Sequence, residues 1–196
     1  MTKKSKKEIE IPSLPEIQRE RKRIRRGVYY RKALLSTVSV LVVVAAVAVL
    51  IATLFLPILQ ISGDSMSPAL AHDEIVVLVK TKDFQRGDLV AFYFQGKILL
   101  KRVIALPDDE VVIDSEGNVY VNRELLDEPY VTEKSLGDCD LEFPYIVPGT
   151  GYFVLGDRRS NSVDSRNSVV GAISQDDIIG KVCLRVWPLS KFGVVA

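Results

Sequence analysis

From Ala33 to Gly63 the chain carries 31 consecutive residues without a charged side chain, and the first 24 of them, Ala33 to Leu56, are apolar almost throughout. A helix rising ~1.5 Å per residue carries that apolar stretch over ~36 Å, more than a ~30 Å hydrocarbon core needs. A secretory signal peptide has an apolar core of only roughly 7 to 15 residues close to the N-terminus. Here the run is longer and begins at residue 33, and Ala46-Val47-Ala48, which resembles a cleavage signal, lies inside it and not at its end. An uncleaved transmembrane anchor is therefore the reading adopted over a cleaved signal or a buried core helix.

Charge is divided unevenly about this run. The whole chain has a net charge of +1, but residues 1–33 hold 12 Lys+Arg against 4 Asp+Glu, a net of +8, which leaves 14 against 21, a net of −7, for the rest. Arg19, Arg21, Arg23, Arg25, Arg26, Arg31 and Lys32 immediately precede the run, and basic clusters so placed stay cytoplasmic. The chain then divides into a basic cytoplasmic tail (1–32), a transmembrane anchor (33–57) and an extracytoplasmic body (58–196). The tail reads as a solvated segment that can turn helical from Glu16 onward. Nucleic-acid binding is its rival role, but a juxtamembrane position favours topology and attraction to anionic lipid, so the expected partner is the bilayer and not nucleic acid.

A composition of 47% hydrophobic and 26% charged residues excludes a disordered or fibrous body. One histidine, His72, and two cysteines, Cys139 and Cys183, are too few and too scattered for a structural zinc site, and no metal or cofactor is expected. Any histidine-based triad would have to run through His72, so a hydrolase in this chain more naturally uses another base, and His72 is assigned no role. The topology permits a disulfide between the cysteines, while Cys183 in the apolar stretch GKVCLRVW equally reads as a buried free thiol.

Beyond Ile61 the pattern changes to short β-type segments: Glu74 to Lys80, Asp88 to Phe94, Lys97 to Leu106, Glu110 to Asp114, Asn118 to Asn122, Gly151 to Asp157 and Ile178 to Pro188. Ser115-Glu116-Gly117 lies between two of them as a hairpin turn. With no convincing amphipathic helix, the body is expected to be all-β and mainly antiparallel, as sheets or a closed barrel, behind one N-terminal transmembrane helix. Lys134 to Pro148 has the composition of a long surface loop. Phe92, Phe94 and Trp187 either rest at the membrane interface, where aromatic rings are favoured, or belong to the β core.

Gly149-Thr150-Gly151 is too short for a phosphate loop and reads as a turn. Gly63-Asp64-Ser65-Met66-Ser67 is one glycine short of a nucleophile elbow and no helix follows it. A different pairing explains more. SGDSMSPAL sets Ser65 in a turn just past the anchor, and KILLKRVIAL sets Lys101 among Ile98, Leu99, Leu100, Val103 and Ile104. Apolar surroundings penalise the ammonium form, which makes a neutral amine available as a base for a Ser-Lys dyad that needs no histidine.

SGDSMSPAL, RGDLVAF, KRVIALPDD and GDRRSNSVDSR, in that order after a single N-terminal anchor, resemble the signature boxes of the bacterial type I signal peptidases. The likeness covers essentially the whole chain beyond the tail. It implies an all-β catalytic domain against the membrane, Ser65 as nucleophile, Lys101 as general base, Ser162 hydrogen-bonded to the Lys101 amine, and an Asp164–Arg166 ion pair in support. It also implies substrates that are signal-peptide-bearing precursors, bound as an added strand with small residues first and third before the cut, since alternate side chains of a strand point the same way. Met66, Leu99 and Leu100 are the candidate pocket walls. Gly63 lies two before Ser65, as in the single-anchor branch, which leaves the Ser65 backbone N–H as the main oxyanion donor. Departures from the family are Ala69 for threonine, Ala105 and Asp108 for glycine, and Arg158 for asparagine; at Ala105 and Asp108 the question is whether the backbone needs a positive φ.

Three alternatives share these features in part: a family relative devoted to pilin or one other substrate, a self-cleaving Ser-Lys repressor, and a non-catalytic anchored β binding module. The repressor would need a DNA-binding domain where this chain has its uncharged run, and the inert module is opposed by the presence of both Ser65 and Lys101. Substrate range and oligomeric state stay open at this point.

Overall fold

The computed structural model describes residues 13–195, so the first part of the basic tail lies outside the described residues. Helix α1 (Leu14–Phe55) is 42 residues long and runs without a break from the basic segment through the apolar one. It starts two residues before the expected Glu16. The cause is a capping box, in which Ser13 N–H and Oγ–H both donate to the Glu16 carboxylate at 2.9 and 2.8 Å. Pro57 follows its end, where the residue before a proline disfavours helical geometry. No residue of α1 is buried within the protein, and among the described residues it is the one helix long and apolar enough to cross a membrane.

The chain separates into two compact units, the second running from Ala52 to the C-terminus. After the last residues of α1 the second unit is made of β-strands and short 3-10 turns. Its strands are β1 (Ile58–Gln60), β2 (Ile75–Val79), β3 (Leu89–Phe94), β4 (Lys97–Ala105), β5 (Glu110–Ile113), β6 (Val119–Val121), β7 (Glu124–Leu125), β8 (Tyr145–Ile146), β9 (Gly151–Leu155), β10 (Ile173–Ser174) and β11 (Ile178–Trp187). Seven of them form an antiparallel sheet in the order β1-β2-β11-β3-β4-β9-β10, and four form a second in the order β7-β6-β5-β8. Each β segment expected from the sequence contains a strand. The additional ones, β1, β7, β8 and β10, have only two or three residues, too few for alternation to register.

Alternation decides which side chains are buried. In β2, Val76 and Leu78 turn inward, where they join Met66, Leu70, Leu89 and Leu100 in one cluster. Val111, Ile113, Val119 and Val121 face Ile104, Phe153 and Leu155 in a second cluster, on which the strands of the two sheets meet. Each such side chain contributes roughly 1.5–3 kcal/mol on burial. The segment 134–148 is not wholly a surface loop, because Leu136, Leu141, Phe143 and Tyr145 pack onto that second cluster. Phe92 is fully buried, with Phe94 packed against the same cluster. Of the three aromatics considered for the membrane interface, only Trp187 is exposed. Cys139 and Cys183 are both free, and the Cys183 thiol donates to Val77 O at 3.3 Å.

Candidate active site

The turn after β1 and the middle of β4 bring Ser65 and Lys101 together. Ser65 occupies the turn that leaves β1, closed by Ser67 N–H to Asp64 O (3.0 Å) and Leu70 N–H to Met66 O (2.9 Å). Lys101 stands in the middle of β4 opposite Val90 of β3. Its Nζ reaches Ser65 Oγ in a hydrogen bond of 2.7 Å, and the lysine is only 3% exposed. Burial is the main cause that pulls the Lys101 amine down to about 8; the Asp164 carboxylate pushes the other way, and the Arg166 guanidinium beside it offsets that push. A base held near neutrality next to a hydroxyl is what nucleophilic attack by serine requires.

Asp164 and Arg166 form the expected pair, fully buried and bidentate, with Nε to Oδ1 at 2.8 Å and Nη2 to Oδ2 at 2.9 Å. Asp164 Oδ2 also accepts the Gly156 N–H at 3.0 Å, and Arg166 Nη1 donates to the carbonyls of Ser135 and Leu136. The pair thus fastens the turn after β9 and the loop around residue 136 to one another. Ser162 is in the site but does not meet Lys101: its Oγ is buried and has no partner, whereas the amine is turned toward Ser65. The Ser162 side chain and the Ser65 carbonyl both close on Gly156, where an added Cβ would lie 2.1 Å from Ser162 Oγ and 2.8 Å from Ser65 O.

A narrow cleft of about 90 Å³ leads to the dyad. Its walls are Leu59 to Gly63 on one side and Ile98 to Lys101 on the other, with Ser65 and Met66 at the end. Met66, Leu99 and Leu100 all border it as expected; Met66 and Leu100 are also core residues, which makes them floor more than wall. β9 pairs with β4 only from Arg102 to Ala105, so the stretch Lys97 to Lys101 keeps one edge open along the cleft. The Ser65 N–H has no acceptor among the described residues and is available to an oxyanion.

The family described as signal peptidase, peptidase S26, matches residues 34–187. The chain belongs to that family. It is 34% identical over 179 residues to signal peptidase I U of Bacillus subtilis (strain 168), covering 82% of this chain and 92% of the relative. It is 36% identical over 152 residues to signal peptidase IB of Staphylococcus aureus (strain Mu50), covering 67% of this chain and 78% of the relative. A crystal structure of a signal peptidase I from Enterococcus faecalis V583 is 30% identical, covering 52% of this chain and 98% of its own, with a TM-score of 0.43. The protein is a serine endopeptidase of the S26 family.

Sequence reasoning missed the buried charges that hold this S26 site together. Arg102, next to Lys101, makes bonds of 2.9 and 2.8 Å to the Asp157 carboxylate and lies 3.9 Å over the Tyr130 ring. Arg159 is bound by Glu128, both being 1% exposed at the side chain. Desolvation raises the Asp157 carboxyl in spite of Arg102, so the pair is a constraint more than a source of stability. Arg102, Asp157 and Arg159 could have been flagged by their places in the boxes; Glu128 and Tyr130 have no sequence signal. Arg158, where the family usually has asparagine, forms an ion pair with Asp64 at the exposed mouth, and its N–H donates to Ser65 O at 3.0 Å. Asp108 does take a positive φ, 67°, a conformation aspartate tolerates. Ala105 does not: it is a buried residue of β4, so no glycine is needed there.

Proposed function

We propose that this peptidase removes N-terminal signal peptides from exported precursors at the outer face of the cytoplasmic membrane, with Ser65 as nucleophile and Lys101 as general base. The observation that carries the reading is the buried Lys101 Nζ at 2.7 Å from Ser65 Oγ. Neutral Nζ takes the Oγ proton as Oγ attacks the scissile carbonyl, and the Ser65 N–H receives the oxyanion. The resulting ammonium returns the proton to the leaving amine, which frees the mature chain and leaves the signal peptide as an ester on Ser65. Water, deprotonated by the same Nζ, hydrolyses the ester and restores the dyad. The precursor adds a strand along the open Lys97–Lys101 edge, and the floor of Met66, Leu99 and Leu100 leaves space for small side chains. The Asp164–Arg166 pair supports the turn and keeps a balanced charge beside the amine. Ser162, a buried hydroxyl without a partner next to the Ser65 carbonyl, is kept in a supporting role through contact with Lys101 once the amine turns away from Ser65.

The basic segment ahead of the apolar run, residues 1–32, retains the N-terminus in the cytoplasm and puts the body outside. The test is cleavage of a purified precursor at its signal-peptide junction by the full chain in detergent. Cleavage by the natural sequence and none by Ser65→Ala is the expected result; an active Ser65→Ala overturns the assignment.

A further inference from the structure

His72, the chain's single histidine, accepts the backbone N–H of Gly63, a residue that lines the cleft. The chain leaves β1 and returns into β2 through a closed ladder in which Ile61 N–H donates to Glu74 O at 2.8 Å and Asp73 N–H to Ile61 O at 3.0 Å. The next rung is not made by backbone on both sides. Gly63 N–H donates to the His72 Nδ1 lone pair at 3.0 Å, so an imidazole nitrogen stands where a carbonyl would continue the ladder. Gly63 sits at φ 97°, a turn that only glycine adopts readily, two residues before Ser65 and in the lining of the cleft. A trans amide sets its C=O opposite its N–H. Holding the Gly63 N–H therefore fixes the direction of the Ser62 carbonyl, which borders the same cleft.

An acceptor at Nδ1 means that neutral His72 carries its proton on Nε2, which lies 3.5 Å from the Asp73 carboxylate. Asp73 in turn accepts the Gln60 side-chain amide at 3.1 Å. Among the described residues Asp73 is the one carboxylate within ion-pair distance of the ring, and Gly63 is the donor on its other nitrogen. The rung depends on the Nδ1 lone pair, which a side chain without an acceptor at that place cannot supply.

We infer that His72 is a positioning residue of the peptidase: its Nδ1 lone pair fixes the Gly63 peptide, and so the cleft wall and the approach to Ser65. This rests on the Ser65–Lys101 reading of the site.

The test compares the full chain in detergent with His72→Ala, His72→Asn and Ser65→Ala on a peptide spanning a signal-peptide junction. Asparagine offers Oδ1 near the place of Nδ1 and does not titrate. His72→Ala is expected to lower kcat/KM about three- to tenfold, the worth of one hydrogen bond, with an unchanged melting temperature because the side chain is exposed. His72→Asn is expected to recover most of the loss. Natural activity in His72→Ala, or failure of asparagine to recover the loss, overturns the inference. Activity in Ser65→Ala overturns the dyad reading instead, so the two failures are told apart.

Discussion

At the scale of single residues, the environment of one amine sets the chemistry. With the Lys101 amine at about 8, about a tenth of it is neutral near pH 7, roughly two orders of magnitude more than for a lysine in water. The active form is the unprotonated one, so kcat/KM is expected to rise about tenfold per pH unit up to about 8 and then level off. Lys101→Ala is expected to retain below about 1% of activity at every pH, since a general base contributes a factor on the order of 10² to 10⁴. A pH profile with no limb near 8, or an active Lys101→Ala, contradicts the dyad. The same shift has a sign for stability: between about 8 and 10.5 the unfolded chain binds a proton that the folded one has released, so stability rises with pH across that window. A Lys101→Met variant lacks that rise in a pH series of denaturant melts. Gly156 is the other decisive residue. A Cβ there meets Ser162 and the Ser65 carbonyl, so Gly156→Ala displaces the nucleophile's own turn and is expected to cut kcat by about a hundredfold, the cost on the order of a 1 Å misplacement. Retention of more than half the natural kcat would show that the turn can yield without consequence.

At the scale of elements, β4 and β1 divide the work. β4 is paired by β3 along Lys97 to Arg102 but met by β9 only from Arg102 onward, and the change of pairing falls next to Lys101. β1 is the shortest way from α1 to the nucleophile: three residues paired with β2, carrying Leu59 against the cluster that includes Met66. The chain before β1 is tied in as well, since Leu78 N–H donates to Pro57 O at 2.8 Å. A soluble body beginning at Ile61 gives up all of this, whereas one beginning at Phe55 keeps it. Loss of one edge strand and a partly buried leucine costs ~1–2 kcal/mol, so the shorter body is expected to melt about 3–8 °C lower. Equal melting temperatures by circular dichroism would show that β1 adds nothing to the fold.

At the scale of the whole molecule, charge and apolar length act before any tertiary contact forms. The +8 segment at residues 1–33 and the one membrane-length helix among the described residues lead to the expectation that protease added to intact spheroplasts digests the β body and spares an N-terminal tag. Protection of the body with loss of the tag reverses the proposed orientation. What the sequence by itself determined is whatever depends on near neighbours in the chain: a long apolar helix, from uninterrupted apolar length; seven strands, from alternation; and the S26 family, from boxes whose residues keep their order and spacing. What only the tertiary structure decided depends on residues far apart in sequence. β8 and β10 exist because β5 and β9 supply partners for two residues each. Phe92 is core because three strands surround it, and hydropathy alone is the same for an exposed and a buried phenylalanine. Glu128 could be matched to Arg159, and Asp157 to Arg102, only once the chain had brought them together, because a buried charge is tolerated only against its counter-charge. His72 belongs with these: nothing in its neighbours along the chain marks it, and its place at Gly63 follows from the return of the chain into β2, which sets an imidazole lone pair where the backbone ladder had run out of carbonyls.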